Sequence, residues 1–339
     1  MSSPFLKQLQ IDTEALALPE GRRVGQPGHA IAQAYLEDRL RTLGVIPFSG
    51  ESHALPFSCG GQSFVNLVGC IPGEERTSEL KPILIGAHYD SVIDAPCADD
   101  NATSVAATLG LAECCLREPL RRDVIVAFFD SEEPPYFHTE AMGSTRFYED
   151  YCKKKTDFSL VLISDLIGHD VEIPHPSAAL FPALRSLVAV LGSESSPQYP
   201  DIVRQAVGRA SGLRVIPTLN RYVGDMSDHH AFRLGGQPFL FLSCAEGKHY
   251  HQPSDTIEWI NFRKLERITR FMEDLMRQVD ADDEIVSALH DPWEFEAEMI
   301  ENAFSPTWPL LRRSLSIPSL ESRRDIDEFL RVFLGALGR

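Results

Sequence analysis

Basic residues are scarce in this 339-residue chain, which has 32 lysines and arginines against 49 aspartates and glutamates. The formal net charge is therefore −17 at pH 7. Proteins that bind nucleic acids contact the phosphates through clustered lysine and arginine, so this balance argues against a nucleic-acid partner. Long apolar runs are also lacking, because every hydrophobic stretch is short and interrupted. We therefore predict no membrane-spanning segment.

The amino terminus lacks the basic region and apolar run that mark a secretory signal. The seven cysteines are odd in number and show no CxxC ladder, which argues against a disulfide framework and against a thiolate zinc module. We therefore expect a reduced, cytoplasmic setting. With 43% apolar and 24% charged residues, the composition is that of an ordinary globular protein.

Apolar strands alternate with amphipathic helices along most of the chain. Strands are predicted at 65–73, 82–90, 123–133, 159–170 and 238–244, and helices at 29–44, 103–118, 256–278 and 323–339. This alternation predicts an α/β fold with a mixed, mostly parallel sheet sandwiched between helices. Prolines and tryptophans interrupt the pattern late in the chain. We therefore predict a catalytic domain at 1–285 and a C-terminal extension at 286–339.

Side chains suited to metal binding follow the ends of the predicted strands. His88 and Asp90 end one strand, Glu132 and Glu133 end another, and Asp165 interrupts the apolar run of a third. Ligands of open α/β sheets bind beyond the carboxyl ends of the strands, so we expect these residues to meet at one rim. Adjacent strand residues point to different sides, so one glutamate can bind metal while the other is a general base. Asp165 is costly to bury unless it is paired or bound to metal.

Two further places in the sequence complete a candidate metal site. Asp99 and Asp100 precede a predicted helix, where adjacent carboxylates fit either a helix cap or a dication. His249 and His251 lie in a loop after the last predicted strand, and their spacing alone does not choose between them. Three carboxylates and two imidazoles suit zinc, manganese or cobalt. Two metals that share one carboxylate would use all five ligands.

Seven short motifs occur in a fixed order along roughly residues 15–280. They are HYDS at 88–91, ADDNA at 98–102, Glu132-Glu133, Gly143-Ser144, Asp165, Ser227-Asp228-His229 and Tyr250-His251. This ordered set resembles the zinc exopeptidase family of bacterial leucyl aminopeptidases and glutamate carboxypeptidase, with glutaminyl cyclases as close relatives. The resemblance implies a three-layer hydrolase fold of the phosphorylase/hydrolase type.

The resemblance also implies a division of the ligands between two zinc ions. His88 and Asp165 would hold one zinc, and Glu133 and His251 would hold the other. Asp100 would bridge them. Two zinc ions per chain are therefore expected, with a single zinc as the alternative.

The implied activity is that of a metallo-aminopeptidase. Asp90 would orient His88, and Glu132 would be the general base that generates a metal-bound hydroxide. The substrates would be peptides with a free N-terminus, and the N-terminal residue would be removed. The loop after the paired glutamates is longer than in leucyl aminopeptidases, and Tyr136 and Phe137 are predicted to rim the substrate pocket. Asp228 is a further predicted substrate contact.

Two alternatives and one departure from the family remain. A glutaminyl cyclase with a single zinc shares several of these motifs, but the doubled acid at Asp99-Asp100 and the tyrosine at Tyr250 favour the aminopeptidase. A non-catalytic binding domain of the same fold would be expected to lack ligands or the base, and none is missing here. Cys97 stands where the family usually has glycine, so the local loop geometry is expected to differ.

Overall fold

A single sheet organises the molecule. The computed structural model describes residues 3–75, 80–172, 182–315 and 317–336. Within these residues the sheet has nine strands: β1 (Ile46–Pro47), β2 (Ala54–Cys59), β3 (Gln62–Ile71), β4 (Ile83–His88), β5 (Val124–Phe129), β6 (Leu160–Asp165), β7 (Leu187–Leu191), β8 (Arg214–Thr218) and β9 (Phe239–Ser243). Their order is β1-β3-β5-β4-β6-β9-β7-β8, and β2 pairs with β3 beside this path.

The four central strands, β5, β4, β6 and β9, run parallel. Their ends are in register, since His88 pairs with Phe129 and Asp165 pairs with Ser243. The neighbours β3 and β7 pair with this central group in the antiparallel sense. The expected mixed, mostly parallel sheet is therefore confirmed. The aligned carboxyl ends form one edge, at which the residues that follow each strand can meet.

Helices cover both faces of the sheet. The described residues contain ten α-helices: α1 (Pro4–Leu16), α2 (Pro27–Leu43), α3 (Thr103–Arg117), α4 (Gly143–Phe147), α5 (Tyr199–Arg209), α6 (His229–Leu234), α7 (Phe262–Asp280), α8 (Trp293–Phe304), α9 (Trp308–Leu315) and α10 (Arg323–Ala336). In β4, Ile83 and Ile85 join the hydrophobic cluster under α1, α3 and α7, while Leu84 joins the cluster under α4 and α6. Alternate residues thus face opposite layers, so the strand is apolar throughout.

Several boundaries differ from the sequence prediction, and two of them have a clear structural description. Strand β5 ends at Phe129, so the acidic pair predicted to end it lies in the loop that follows. Helix α7 begins at Phe262 instead of residue 256 because the side chain of Asn261 accepts a hydrogen bond from the Lys264 amide at 3.1 Å and caps the helix. The end of α2 agrees with the prediction, since Gly44 follows it with a φ of 85°. Only glycine adopts that angle without steric cost.

The described part of the C-terminal extension packs against the sheet. Phe295, Ile300 and Phe329 belong to the same hydrophobic cluster as Val188 and Val215 of β7 and β8. We retain the division at residue 285 as a proposal about sequence units, although the extension shares this core. No helix in the described ranges combines the length and the apolar character that crossing a bilayer needs.

A buried ion pair fastens α10 to α8. Arg323 at the start of α10 contacts the carboxylate of Glu296, whose side chain is 0% exposed, and also contacts Asp291. We predict that Arg323→Met lowers the free energy of unfolding by about 3 kcal/mol, because it leaves the Glu296 carboxylate buried without its partner. Urea unfolding measures the change. The double variant Arg323→Met/Glu296→Met should recover most of the loss, and a double variant as unstable as the single one contradicts the pairing.

Candidate metal centre

Two groups of metal-type side chains meet at the carboxyl edge of the sheet. The first contains His88, Asp100 and Asp165, and the second contains Asp100, Glu133 and His251. His88 and Asp165 are the last residues of β4 and β6. Asp100 lies in an irregular helical turn before α3, and the other two lie in loops. Asp100 is the residue that the two groups share.

The distances within each group match the spacing of atoms around a bound zinc. His88 Nε2 lies 3.4 Å from Asp100 Oδ1 and 3.6 Å from Asp165 Oδ2. His251 Nε2 lies 3.3 Å from Asp100 Oδ2 and 3.2 Å from Glu133 Oε2. Two ligand atoms on one tetrahedral zinc, each at about 2.0–2.1 Å, lie about 3.3–3.4 Å apart. Most of these separations exceed the usual hydrogen-bond range of about 2.7–3.2 Å.

Several of these atoms are buried without a hydrogen-bond partner. Among the described residues, none provides a partner for His88 Nε2, His251 Nε2, Asp100 Oδ2, Glu133 Oε1 or Asp165 Oδ1. A buried polar atom without a partner costs about 1–3 kcal/mol, and an unpaired charge costs more. The donor set of carboxylate oxygens and imidazole nitrogens fits zinc. These residues therefore fit a zinc ion, which would satisfy the ligand atoms that have no hydrogen-bond partner.

Crowded negative charge also shows in the pKa values of the site. Burial raises the pKa of Glu133 to about 8, and the neighbouring Asp100 carboxylate adds to the rise. Burial also raises the pKa of Glu132 well above its ordinary value, against the opposing effect of His88. Burial by itself lowers the pKa of His251, but the adjacent carboxylates of Asp100 and Glu133 outweigh it and raise that pKa to about 10. A divalent cation would relieve the same repulsion.

Asp90 connects the first histidine to the acidic loop. Its two carboxylate oxygens accept hydrogen bonds from the backbone amides of Glu132 and Glu133, each at 3.1 Å. Asp90 Oδ1 also lies 3.3 Å from His88 Nδ1. The contact with the histidine was predicted from the sequence, whereas the two contacts with the backbone amides were not. They show how both glutamates are held at the rim although they lie beyond the end of β5.

Asp99 and Asp100 are adjacent but face different surroundings. The carboxylate of Asp99 accepts hydrogen bonds from the amide of Gly168 and from Nδ1 of His169, both at 2.6 Å. The amides of Asp99 and Asp100 donate to the carboxylate of Asp255 at 3.0 and 3.1 Å. Asp255 therefore fixes the turn that carries Asp100. Asp99 is engaged with the β6–β7 connection and is absent from both metal-type groups.

The turn is also held from the opposite side by Arg22. This side chain is 1% exposed, and it donates to the carbonyls of Cys97 at 3.0 Å and Asp100 at 3.2 Å. Cys97 adopts a φ of 44°, in the left-handed region where glycine is usual. Burial raises the pKa of its thiol to about 12, and Cys97 belongs to neither of the two metal-type groups. Cys97 is therefore a small buried residue beside the site. No motif in the sequence indicated the role of Arg22.

The two loop histidines have different environments. His251 contacts Asp100 and Glu133 as described above, whereas His249 Nδ1 lies 2.8 Å from the hydroxyl of Ser254. The ring of His249 stacks on Trp259 with centroids 4.3 Å apart. The structure thus brings His251 into the site and leaves His249 outside it, in agreement with the choice made from the family motif.

Of the three predicted substrate contacts, only Phe137 lines a cavity beside the metal-type residues. A cavity of about 130 Å³ adjoins the metal-type residues, and Phe137 lines it. Tyr136 instead packs edge-on against Phe64 with centroids 5.0 Å apart and donates to Gln62, so it is held at the neighbouring hairpin. Asp228 is 0% exposed and does not line the cavity. These two placements do not support a direct contact with substrate.

Several solved structures have a fold similar to that of this chain. The fold is similar to that of LapB from Legionella pneumophila, with a TM-score of 0.65 at 16% identity, over 82% of this chain and 72% of that one. It is similar to a leucine aminopeptidase precursor from Bacteroides thetaiotaomicron, with a TM-score of 0.63 at 15% identity, over 80% and 96%. A glutaminyl cyclase from the same organism has a TM-score of 0.63 at 15% identity, over 80% and 97%.

One family match covers the central strands of the sheet and the histidine–carboxylate rim. Residues 66–276, more than half of the chain, match the family described as peptidase family M28. The chain belongs to that family. It is also 27% identical over 212 residues to the uncharacterized protein YfbL of Escherichia coli (strain K12), across 55% of this chain and 63% of the relative. The chain thus spans less than two thirds of that relative's length.

The shared position of Asp100 leads to a test by metal analysis. We predict that Asp100→Ala lowers the zinc content of the purified protein more than Asp165→Ala or Glu133→Ala does, because only Asp100 belongs to both groups. Mass spectrometry of dialysed protein, with zinc expressed per chain, measures the difference. Asp94→Ala is the matched control, since Asp94 is exposed. Full zinc content in the Asp100 variant would contradict the assignment.

Proposed function

We propose that the chain is a zinc-dependent aminopeptidase that removes the N-terminal residue of peptides. The observation that carries this proposal is the pair of metal-type groups that share Asp100. A shared carboxylate between two such groups is the arrangement that two-metal hydrolases use to bind and polarise a substrate. Membership of peptidase family M28 supports peptides as the substrate class.

The proposed ligands divide as the sequence motifs imply. His88 and Asp165 would hold one zinc, and Glu133 and His251 would hold a second one. Asp100 would serve both. Zinc bound here would polarise the scissile carbonyl and lower the pKa of a bound water.

Glu132 is the proposed general base. It lines the cavity and is 4% exposed, and its Oε2 lies 3.8 Å from His88 Nε2. Its amide is fixed by Asp90, so the side chain begins from a defined backbone position. The carboxylate would take a proton from the attacking water and then deliver it to the leaving amine. The loop after β5 would thus supply both a ligand and the base.

The surroundings of the cavity support recognition of a chain end. Glu132, Glu133 and Asp165 line the cavity together with apolar residues such as Leu187 and Ile216. The free amine of the N-terminal residue of a peptide would be bound beside the metals that these carboxylates would hold. The side chain of the same residue would then enter the apolar interior. A cavity of about 130 Å³ accepts one side chain and not a continuous peptide.

Glutaminyl cyclization is the second candidate function. The fold is as similar to a glutaminyl cyclase as to a leucine aminopeptidase precursor, with a TM-score of 0.63 in both cases. The second group of ligands, Asp100 with Glu133 and His251, favours the aminopeptidase because a cyclase with a single zinc does not require it. A complete set of ligands and a base also disfavours a purely non-catalytic role.

The role of the base is tested by one substitution. We predict that Glu132→Gln lowers kcat by about 10²–10⁴-fold while zinc content is unchanged, because the amide cannot accept the proton. Steady-state kinetics and metal analysis on the same preparation measure both quantities. Glu140→Gln in the same loop is the control, because Glu140 is exposed and should leave kcat unaltered. An active Glu132→Gln enzyme with full zinc would refute the proposed base.

The reaction type is tested by a substrate panel. We expect the zinc-loaded protein to release the anilide from aminoacyl-anilides with a free amino group and to leave the N-acetylated analogues intact, because the proposed site binds a free amine beside the metals. An N-terminal glutaminyl peptide is included, with ammonia release as the readout. Ammonia release from the glutaminyl peptide without hydrolysis of any anilide would assign cyclization instead.

A further inference from the structure

The cavity beside the metal-type residues has a wall that comes from the end of the chain. Apolar residues of three strands line it, including Leu187 of β7, Ile216 of β8 and Phe241 of β9. It is also lined by Leu330, Phe333 and Leu334, all from α10. These last residues lie about 80 positions or more after His251 in the sequence. They also lie outside the span that matches the family, which ends at residue 276.

We propose that α10 forms the specificity wall of the substrate side-chain pocket and restricts the N-terminal residue to an aliphatic side chain or a single ring. This inference rests on the proposed aminopeptidase function and names the substrate class of the same site. It assigns specificity-determining roles to Leu330, Phe333 and Leu334. The C-terminal extension, to which the sequence analysis attached no role, thereby becomes part of the substrate site.

The wall is firmly attached to the rest of the protein. Arg221 contacts Asp327 of α10 at 2.8 Å, and Tyr222 donates to the same carboxylate. Phe304 of α8 packs edge-on against Phe329 and Phe333 of α10, with centroids 5.9 and 5.6 Å apart. Ion pairs and aromatic contacts therefore hold the helix on two sides. Its apolar residues are a fixed boundary of the cavity.

The size of the cavity decides which side chains fit. An apolar protein cavity of about 150 Å³ holds one benzene ring, and this cavity measures about 130 Å³. Leucine, methionine or phenylalanine side chains therefore fill it, while the indole of tryptophan exceeds it. A lysine or glutamate side chain would lose its hydration against Leu330 and Phe333, which is costly without a partner.

The test compares two pairs of substitutions on α10. Leu334→Ala and Phe333→Leu enlarge the cavity, and Val332→Ala and Ile326→Val change apolar residues of the same helix that do not line it. Leucyl-anilide and tryptophanyl-anilide are assayed with each zinc-loaded full-length variant. We expect the ratio of kcat/KM for the tryptophanyl over the leucyl substrate to rise by about tenfold in the cavity variants, as pocket size typically discriminates by 10–200-fold. The controls should stay within about twofold.

A binding measurement separates this inference from the proposed function. Leucine hydroxamate and tryptophan hydroxamate need no turnover, and calorimetry gives the ratio of their affinities for each variant. A wild-type protein that cleaves no anilide, but whose affinity ratio shifts only in the cavity variants, would refute the aminopeptidase and keep the wall. Active enzymes with unchanged ratios in Leu334→Ala and Phe333→Leu would refute the wall and keep the aminopeptidase. Equal shifts in the control variants would also refute it.

Discussion

The gathering of buried carboxylates around Asp100 is the constraint on which the rest of the structure depends. Asp100, Glu132, Glu133 and Asp165 are each no more than 7% exposed, and their nearest cationic groups are two imidazoles. Such a cluster is unfavourable without a cation. The cluster forms because the parallel strands β4, β5 and β6, with the segments that follow them, place these residues at one edge of the sheet. The fold and the metal requirement of the family are therefore two aspects of one arrangement.

Much of this edge was predictable because its signals are local. His88 and Asp165 end continuous apolar runs, and such runs indicate strands covered on both faces. The acidic pair was predicted to end β5, but it lies in the loop after this strand. A run of hydrophobic residues shows that a strand exists but marks its end poorly. Spacing alone did not separate the roles of Asp99 and Asp100, because their hydrogen-bond partners are distant in sequence, and the choice of Asp100 came from the family resemblance.

The parts that escaped prediction are supplied by long-range contacts. Arg22 has no neighbouring motif, and its importance comes from carbonyl groups more than 60 positions away. The pattern of α10 indicates an amphipathic helix, but periodicity does not identify the surface it covers. The strands β7 and β8 are short, and their apolar residues form part of the cavity only because α8 and α10 pack beside them. Local patterns thus define elements, and tertiary packing defines the substrate cavity.

The two hydrogen bonds that Asp255 accepts from the amides of Asp99 and Asp100 have a consequence for folding kinetics. They join positions 156 and 155 residues apart, so the turn that presents Asp100 is closed only after most of the chain has been made. Contacts of such sequence separation form late because loop closure must precede them. A growing chain therefore carries these carboxylates apart from one another, and the candidate metal site is complete only once this edge of the sheet has formed.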